Sequence, residues 1–365
     1  MDTMKEKVTV IAVIRNRDPE RIVNLATSIR EHGADPSFLL VDYGSSEPLS
    51  QSYSEISARL GIRYERISSE GLPWNKCHAI NCGVRLAKTE YIVTTDIDML
   101  YVSDPIRYCL DHYSGKTSYH IYAHWLPKSG RADKAKFAGP GSPGGFQFVP
   151  ASAFHEAGGY DESLKYWGQE DLDWPTRLRE LGYGQEWLPE PHKMYHVWHE
   201  SSERGYLRPA TANYDTMNAC LRNQFEPVLR QDWGRAWQES DRPILGIMKR
   251  ENPLRMAFEA NQFSKYGEIK AALDSRERGR FIKLDLGSRT IRRYLSRLAG
   301  PMYKLMRPVA ALTGLSCSLR LNSNFDYLYA ALPLFLERGL SDYYIAPDLS
   351  SVYLLWGDKR SKAKN

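Results

Sequence analysis

The stretch YWGQEDLDW, residues 166–174, sets Glu170, Asp171 and Asp173 between Trp167 and Trp174. The acids read as the first turn of a helix, where the positive end of the helix dipole favours them in any protein. The same dipole keeps a carboxylate ionised, as a general base must be. It does not account for two indole faces beside the acids. A second acidic pair, Asp96 and Asp98 in TTDIDML, closes a run of the type buried in sheets, where lone carboxylates are costly. Carboxylates suit hard divalent cations, which in turn hold phosphates. HVWH adds His196 and His199. Imidazole suits Mn²⁺ better than Mg²⁺, and one of these histidines joining Asp98 on an ion is the economical arrangement, whereas a zinc site would want a fuller set. Arg15 and Arg17 in IRNR carry guanidinium forks that match phosphates and stack on bases. Each motif also has an ordinary structural reading: turn caps, a packed histidine, solvated arginines.

The elements that must position these residues follow from periodicity. VTVIAVI (Val8–Ile14) is too short for a helix and reads as a buried strand. Asp18 caps a helix with Pro19 at its first position, an apolar face of Ile22, Leu25, Ala26 and Ile29, and Gly33 past its end. SFLLVD, IRYERI and YIVTTD repeat the strand signal, with helices through 56–60 and 75–87 between them. Such β-α alternation predicts an α/β fold with a mostly parallel sheet, whose ligands bind at the carboxyl ends of the strands. The clusters at 15–17, 42–46 and 96–98 all fall there. GPGSPGG, residues 139–145, reads as a loop near a ligand. Beyond about residue 235 the alternation stops, so the expected domains are 1–235, catalytic, and 236–365, a mainly helical extension.

Composition sets the outer limits. With 365 residues, 42% hydrophobic and 25% charged, the chain can bury a large core. Twenty-three Tyr and nine Trp fit flat-ligand or sugar surfaces as well as an aromatic core. The net charge of +5 is uneven: seven Lys/Arg against Asp285 make residues 281–310 +6 and leave the rest at −1. The first part therefore has no nucleic-acid footprint. Five cysteines without C-x-x-C spacing fit reduced thiols, and the charged start MDTMKEKVTV lacks a signal-peptide core, so a cytoplasmic location is expected.

Together these motifs resemble the GT-A glycosyltransferases, family 2 in type, with a galactosyltransferase-related C-terminal motif. VIRNR is similar to the nucleotide-contacting first-strand motif, and VDYGSS, with Asp42, stands at the base-contacting segment, Tyr43 replacing a second acid. WNKCHAINCG, with Asn75 and Lys76, is similar to the helix before the metal motif; DIDM is the D-x-D; GGFQFVPASAFHEAGGYDESLKYWGQEDLD lines donor sugar and acceptor; HVWHES supplies the metal histidine. The resemblance implies an inverting transfer from a nucleotide-sugar donor, commonly a UDP-sugar, to a glycan or lipid-linked saccharide. It implies Asp171 as general base and Glu170 and Asp173 on sugar hydroxyls. Trp167 would lie under a sugar ring, and Gly144 and Gly145 would let backbone approach the donor. Asp98 and His199 would hold the metal, Mn²⁺ before Mg²⁺, with Asp96 on the ribose or a metal-bound water.

Two other classes compete: a non-catalytic carbohydrate-binding subunit, and a sugar nucleotidyltransferase. The latter calls for a glycine-rich loop after the first strand, and IRNRDPE has no glycine. In the last third, IRRYLSRLAGPMYKLMRP mixes basic and apolar residues. It reads either as a solvated helical face or as a peripheral contact with an anionic membrane surface.

Overall fold

The computed structural model describes residues 3–138, 145–166, 168–199, 212–225, 232–259, 264–277, 279–286 and 324–357. They form two compact units, one within residues 3–238 and one within residues 239–357.

The first unit follows the alternation read from the sequence. A short helix α1 (Met4–Lys7) precedes β1 (Val8–Ile14), α2 (Glu20–Glu31), β2 (Ser37–Tyr43), α3 (Glu47–Leu60), β3 (Arg63–Ile67), α4 (Lys76–Leu86) and β4 (Tyr91–Asp96). Then come β5 (Met99–Tyr101), α5 (Pro105–His112), β6 (Thr117–His120), β7 (Tyr122–Trp125), β8 (Lys136–Phe137) and β9 (Phe146–Pro150). The unit closes with α6 (Ala151–Ala157), α7 (Glu170–Glu180), β10 (Gly184–Trp187), β11 (Lys193–His196) and α8 (Ala212–Phe225). The large sheet runs β10-β6-β9-β4-β1-β2-β3. Strands β4, β1, β2 and β3 are parallel, and β9 is antiparallel to both β4 and β6.

Strand β1 is buried along its whole length, and its residues alternate between two cores. Val8, Val10, Ala12 and Ile14 join Ile22, Leu25, Ala26 and Ile29 of α2 on one face; Ile11 and Val13 join Cys77, Ala79 and Ile80 of α4 on the other. Helix α4 lies very close to the sheet. A Cβ on Gly83 would stand 2.7 Å from Ile11 Cγ2 and 3.2 Å from Val41 Cγ2.

A second sheet, β5-β11-β7-β8, was not visible in the sequence. It arises where the chain turns out of the large sheet after Asp96. Strand β11 then pairs with β5, placing His196 opposite Met99.

The second unit departs from the mainly helical expectation. It contains α9 (Pro243–Met248), β12 (Leu254–Ala257), α10 (Lys265–Asp274), β13 (Phe281–Asp285), α11 (Asn324–Glu337), β14 (Leu340–Ile345) and β15 (Ser351–Trp356). Its sheet runs β12-β13-β15-β14 over a core including Leu284, Phe325, Leu328, Phe335 and Leu354. Short apolar runs such as FIKLD and SVYLLW do not declare helix or strand by themselves. Their pairing partners settle it, and those lie far along the chain. Among the described residues no helix is long and apolar enough to cross a membrane.

Replacing Gly83 with Val should push α4 from the sheet and lower stability by about 2 kcal/mol or more, the scale of overpacking a dense core. Urea denaturation measures it, with an unchanged midpoint excluding the close approach.

Candidate active site

Asn75 starts α4: its side-chain oxygen accepts from the His78 N–H at 2.9 Å, and its side-chain amide donates to the Glu162 carbonyl at 2.7 Å. The next residue, Lys76, projects into a cleft. Its Nζ lies 2.7 Å from Asp96 Oδ1, 3.5 Å from Glu170 Oε1 and 4.0 Å from Asp171 Oδ1. One ammonium thus joins the end of β4 to the start of α7.

Burial alone would disfavour that charge, but Asp96, Asp171 and Glu170 outweigh it and hold Lys76 well above its ordinary pKa. Burial raises the Asp96 carboxyl against the pull of Lys76. For Asp171, seclusion in the cleft acts most and the Glu170 charge next; together they push it up to about 7, with Lys76 opposing. The Asp171 side chain still keeps 33% of its surface open, as a group that meets a substrate proton must.

The approach to α7 is unusual backbone. Tyr166 and Gln169 adopt φ of 72° and 76°, a region that ordinary residues avoid, and Gly168 adopts 97°. Tyr166 is tied by its N–H to the Trp74 carbonyl at 2.7 Å, next to the start of α4. Within α4, the Asn81 side chain exchanges hydrogen bonds with the Tyr160 backbone, at 2.9 and 2.8 Å, and donates to Glu162 Oε1 at 2.9 Å. Pro175 lies inside α7.

Asp98, in the turn between β4 and β5, faces two histidines. His196 Nε2 is 3.6 Å from Asp98 Oδ1 and His199 Nε2 is 3.5 Å from Oδ2. Ligand atoms of the three lie within 4.8 Å of one another. Neighbouring ligands of an octahedral ion bound at ~2.1 Å stand about 3 Å apart. A small contraction therefore lets this trio hold a divalent ion, and its imidazoles and carboxylate suit Mn²⁺. The Val197 N–H donates to the Asp98 carbonyl at 2.9 Å, which fixes the turn against the histidine segment.

Arg15 and Arg17 leave the end of β1 and line the same cleft, which encloses about 940 Å³ including its mouth. Arg15 donates to the Leu72 carbonyl at 2.9 Å and stands 5.9 Å from the Tyr43 ring centre. Arg17 is held by its backbone: its N–H donates to Tyr53 Oη at 2.8 Å, and the Tyr53 hydroxyl donates to its carbonyl.

The cleft brings together Arg15, Arg17, Lys76, Asp96, Asp98, Glu170, Asp171 and His199 from the expected set, and adds His196 as an equal partner of Asp98. Four other expected residues are engaged within the fold. Asp42 is wholly buried and accepts from the Ser45 N–H, the Ser50 hydroxyl and the Tyr64 hydroxyl at 2.7–2.9 Å, so it shapes the loop after β2. Asn75 is consumed by capping α4. Asp173 turns inward, paired with Arg177 at 2.8 Å and accepting from Asn223 at 2.7 Å. At Gly145, a Cβ would stand 2.1 Å from the Met99 methyl, so the glycine makes room for a side chain of the fold. Gly144 and Trp167 lie outside the described residues. Sequence reasoning missed Trp74, Tyr166 and Arg21. The first two line the cleft, and Arg21 Nη1 lies 3.6 Å from Asp98 Oδ2. Only the recurrence of arginine in RNRDPER hinted at the last.

Residues 130–200 match a family model described as the N-terminal domain of galactosyltransferase. That stretch covers less than half of the chain. It carries Gly145, Glu170, Asp171, His196 and His199, while Arg15, Lys76, Asp96 and Asp98 precede it. No curated protein matches the chain. Among solved structures, it is similar to the catalytic domain of Drosophila β1,4-galactosyltransferase 7 in complex with xylobiose, at 17% identity and TM-score 0.41, over 58% of this chain and 79% of that one. It is similar to GalNAc-T7 with UDP, GalNAc and Mn²⁺, at 16% identity and TM-score 0.42, over 53% and 44%. It is also similar to TarS 1–349 of S. aureus, at 15% identity and TM-score 0.44, over 62% and 67%.

Since Lys76 lowers the Asp171 pKa from where burial and Glu170 would put it, Lys76→Met should move that midpoint upward from about 7. Carboxyl ¹³C NMR titration checks the shift. A midpoint that stays or falls would contradict the coupling.

Proposed function

We propose that the protein is a metal-dependent glycosyltransferase, moving a sugar from a nucleoside-diphosphate donor of the UDP type to a saccharide hydroxyl with inversion. One observation carries this reading: a single cleft joins the Asp98, His196 and His199 set to a half-open carboxylate, Asp171, poised near neutrality. A divalent ion, Mn²⁺ before Mg²⁺ on ligand chemistry, would be held by those three residues and would stabilise charge on the departing diphosphate. Arg15 and Arg17, at the mouth beside β1, bind the nucleotide and its phosphates.

In the reaction, the acceptor hydroxyl gives its proton to a carboxylate oxygen of Asp171. The acceptor oxygen bonds to the anomeric carbon as the bond to the diphosphate oxygen breaks on the opposite face. Glu170, 3.5 Å from Lys76 and buried, orients sugar hydroxyls and keeps the Asp171 pKa high. Lys76 holds Asp96, Glu170 and Asp171 in place, so the acids meet substrate already oriented.

The proposal extends to location. The protein works in the cytoplasm, with the basic segment, most of which lies outside the described residues, resting on an anionic membrane that presents a lipid-linked acceptor. The full chain should sediment with phosphatidylglycerol vesicles and lose that binding when Arg292, Arg293 and Arg297 become Gln. Equal sedimentation of both proteins would remove the membrane role.

A panel of nucleotide sugars with Mn²⁺, read by release of the nucleoside diphosphate, tests the activity itself. Transfer should rise with pH through about 7 and level off above it, because the base acts ionised. Asp171→Asn should lower kcat by about 10²–10⁴-fold, the usual worth of a general base, and leave UDP affinity intact. Unchanged transfer in that variant would end the base assignment.

A further inference from the structure

Arg21 occupies the first turn of α2, its N–H bonded to the Asp18 carbonyl at 3.2 Å. Its Nη1 lies 3.6 Å from Asp98 Oδ2, the same oxygen that stands 3.5 Å from His199 Nε2. The side chain is only 11% exposed. A fixed positive charge is thus built beside the carboxylate that would receive a divalent cation. For metal binding alone this arrangement is adverse. Even screened as in bulk water, a +1 and a +2 charge a few ångströms apart repel enough to weaken binding about tenfold.

The charges around the cleft show what offsets it. Arg15, Arg17, Arg21 and Lys76 face Asp96, Asp98, Glu170 and Asp171, four cations against four acids. With all four acids ionised, as they are above the Asp171 midpoint of about 7, the site is formally neutral. A divalent ion alone would leave it at +2 and a diphosphate diester alone at −2, whereas the pair restores neutrality.

We propose that Arg21 makes occupancy of the metal site conditional on the donor diphosphate, by competing with the cation for Asp98 until phosphate oxygens offer the guanidinium another partner. Guanidinium forks match phosphate as well as carboxylate, so phosphate oxygens can replace Asp98 as the partner of this charge. Coupling of this kind is reciprocal: the ion must raise diphosphate affinity by the same factor that the diphosphate raises ion affinity. The inference rests on the reading of the cleft as a nucleotide-sugar site.

Binding alone tests it, with no turnover needed. Mn²⁺ is titrated by electron paramagnetic resonance into the full chain with and without UDP, for the wild type, Arg21→Gln and Arg21→Lys. Arg21→Gln should bind Mn²⁺ alone about tenfold more tightly than the wild type. It should also show a smaller enhancement by UDP. Arg21→Lys keeps the charge and should bind Mn²⁺ alone as weakly as the wild type. Arg21→Gln binding Mn²⁺ alone no more tightly, while folded by circular dichroism, would reduce Arg21 to a clamp on α2 and overturn the proposal. If Arg21→Gln fails to fold, Arg21→Lys decides: enhancement by UDP retained supports the proposal, and enhancement lost overturns it. Enhancement present in the wild type and unchanged in Arg21→Gln refutes the role of Arg21 alone. No enhancement in the wild type refutes the donor-site reading with it.

Discussion

A single partly buried ammonium organises the chemistry of this molecule. Lys76 neutralises acids delivered by two elements that share no local sequence: Asp96 from the end of β4, and Glu170 and Asp171 from the start of α7. Without a cation there, like charges would drive the end of β4 and the helix apart, or force the carboxyls to take up protons. The lysine can act only if α4 is held in register. Gly83 sets the helix against β1 and β2, Asn75 fixes where it starts, and Asn81 grips the backbone at Tyr160. The motif WNKCHAINCG is therefore a mechanical device with one polar tip.

The parallel half of the large sheet was legible because β1, β2 and β4 are buried on both faces and announce themselves as apolar runs. The acids at the strand ends were legible for the same reason, since nothing in the core explains them. What sequence could not give was the direction in which each polar side chain turns. Asp171 and Asp173 stand two apart on one helix, yet the first opens to the cleft while the second is closed off by Arg177 and Asn223. The Arg177 partner sits one helical turn along and could be guessed; Asn223 arrives from α8 and could not. Asp42 misled in the same way, its hydroxyl partners coming from α3 and β3.

The second sheet shows how a non-local pairing creates a site. Asp98 gains meaning only when β11 pairs with β5 and carries His196 and His199 to it. Spacing within HVWH leaves open whether one or both imidazoles reach Asp98; the antiparallel register sets His196 opposite Met99, and the segment after β11 brings His199 within 3.5 Å of the same carboxylate. Of the three, only His196 stands on a strand; Asp98 sits in the turn between β4 and β5, where its carbonyl accepts from the Val197 N–H, and His199 follows the end of β11.

Pro175 has one more effect. A proline has no amide hydrogen, so the residue four before it, Asp171, keeps a main-chain carbonyl that the helix ladder does not engage. The turn bearing this aspartate is moored to the rest of α7 by one strut fewer than its neighbours. What steadies this aspartate is therefore the ammonium of Lys76, 4.0 Å from its Oδ1, as well as the helix that carries it.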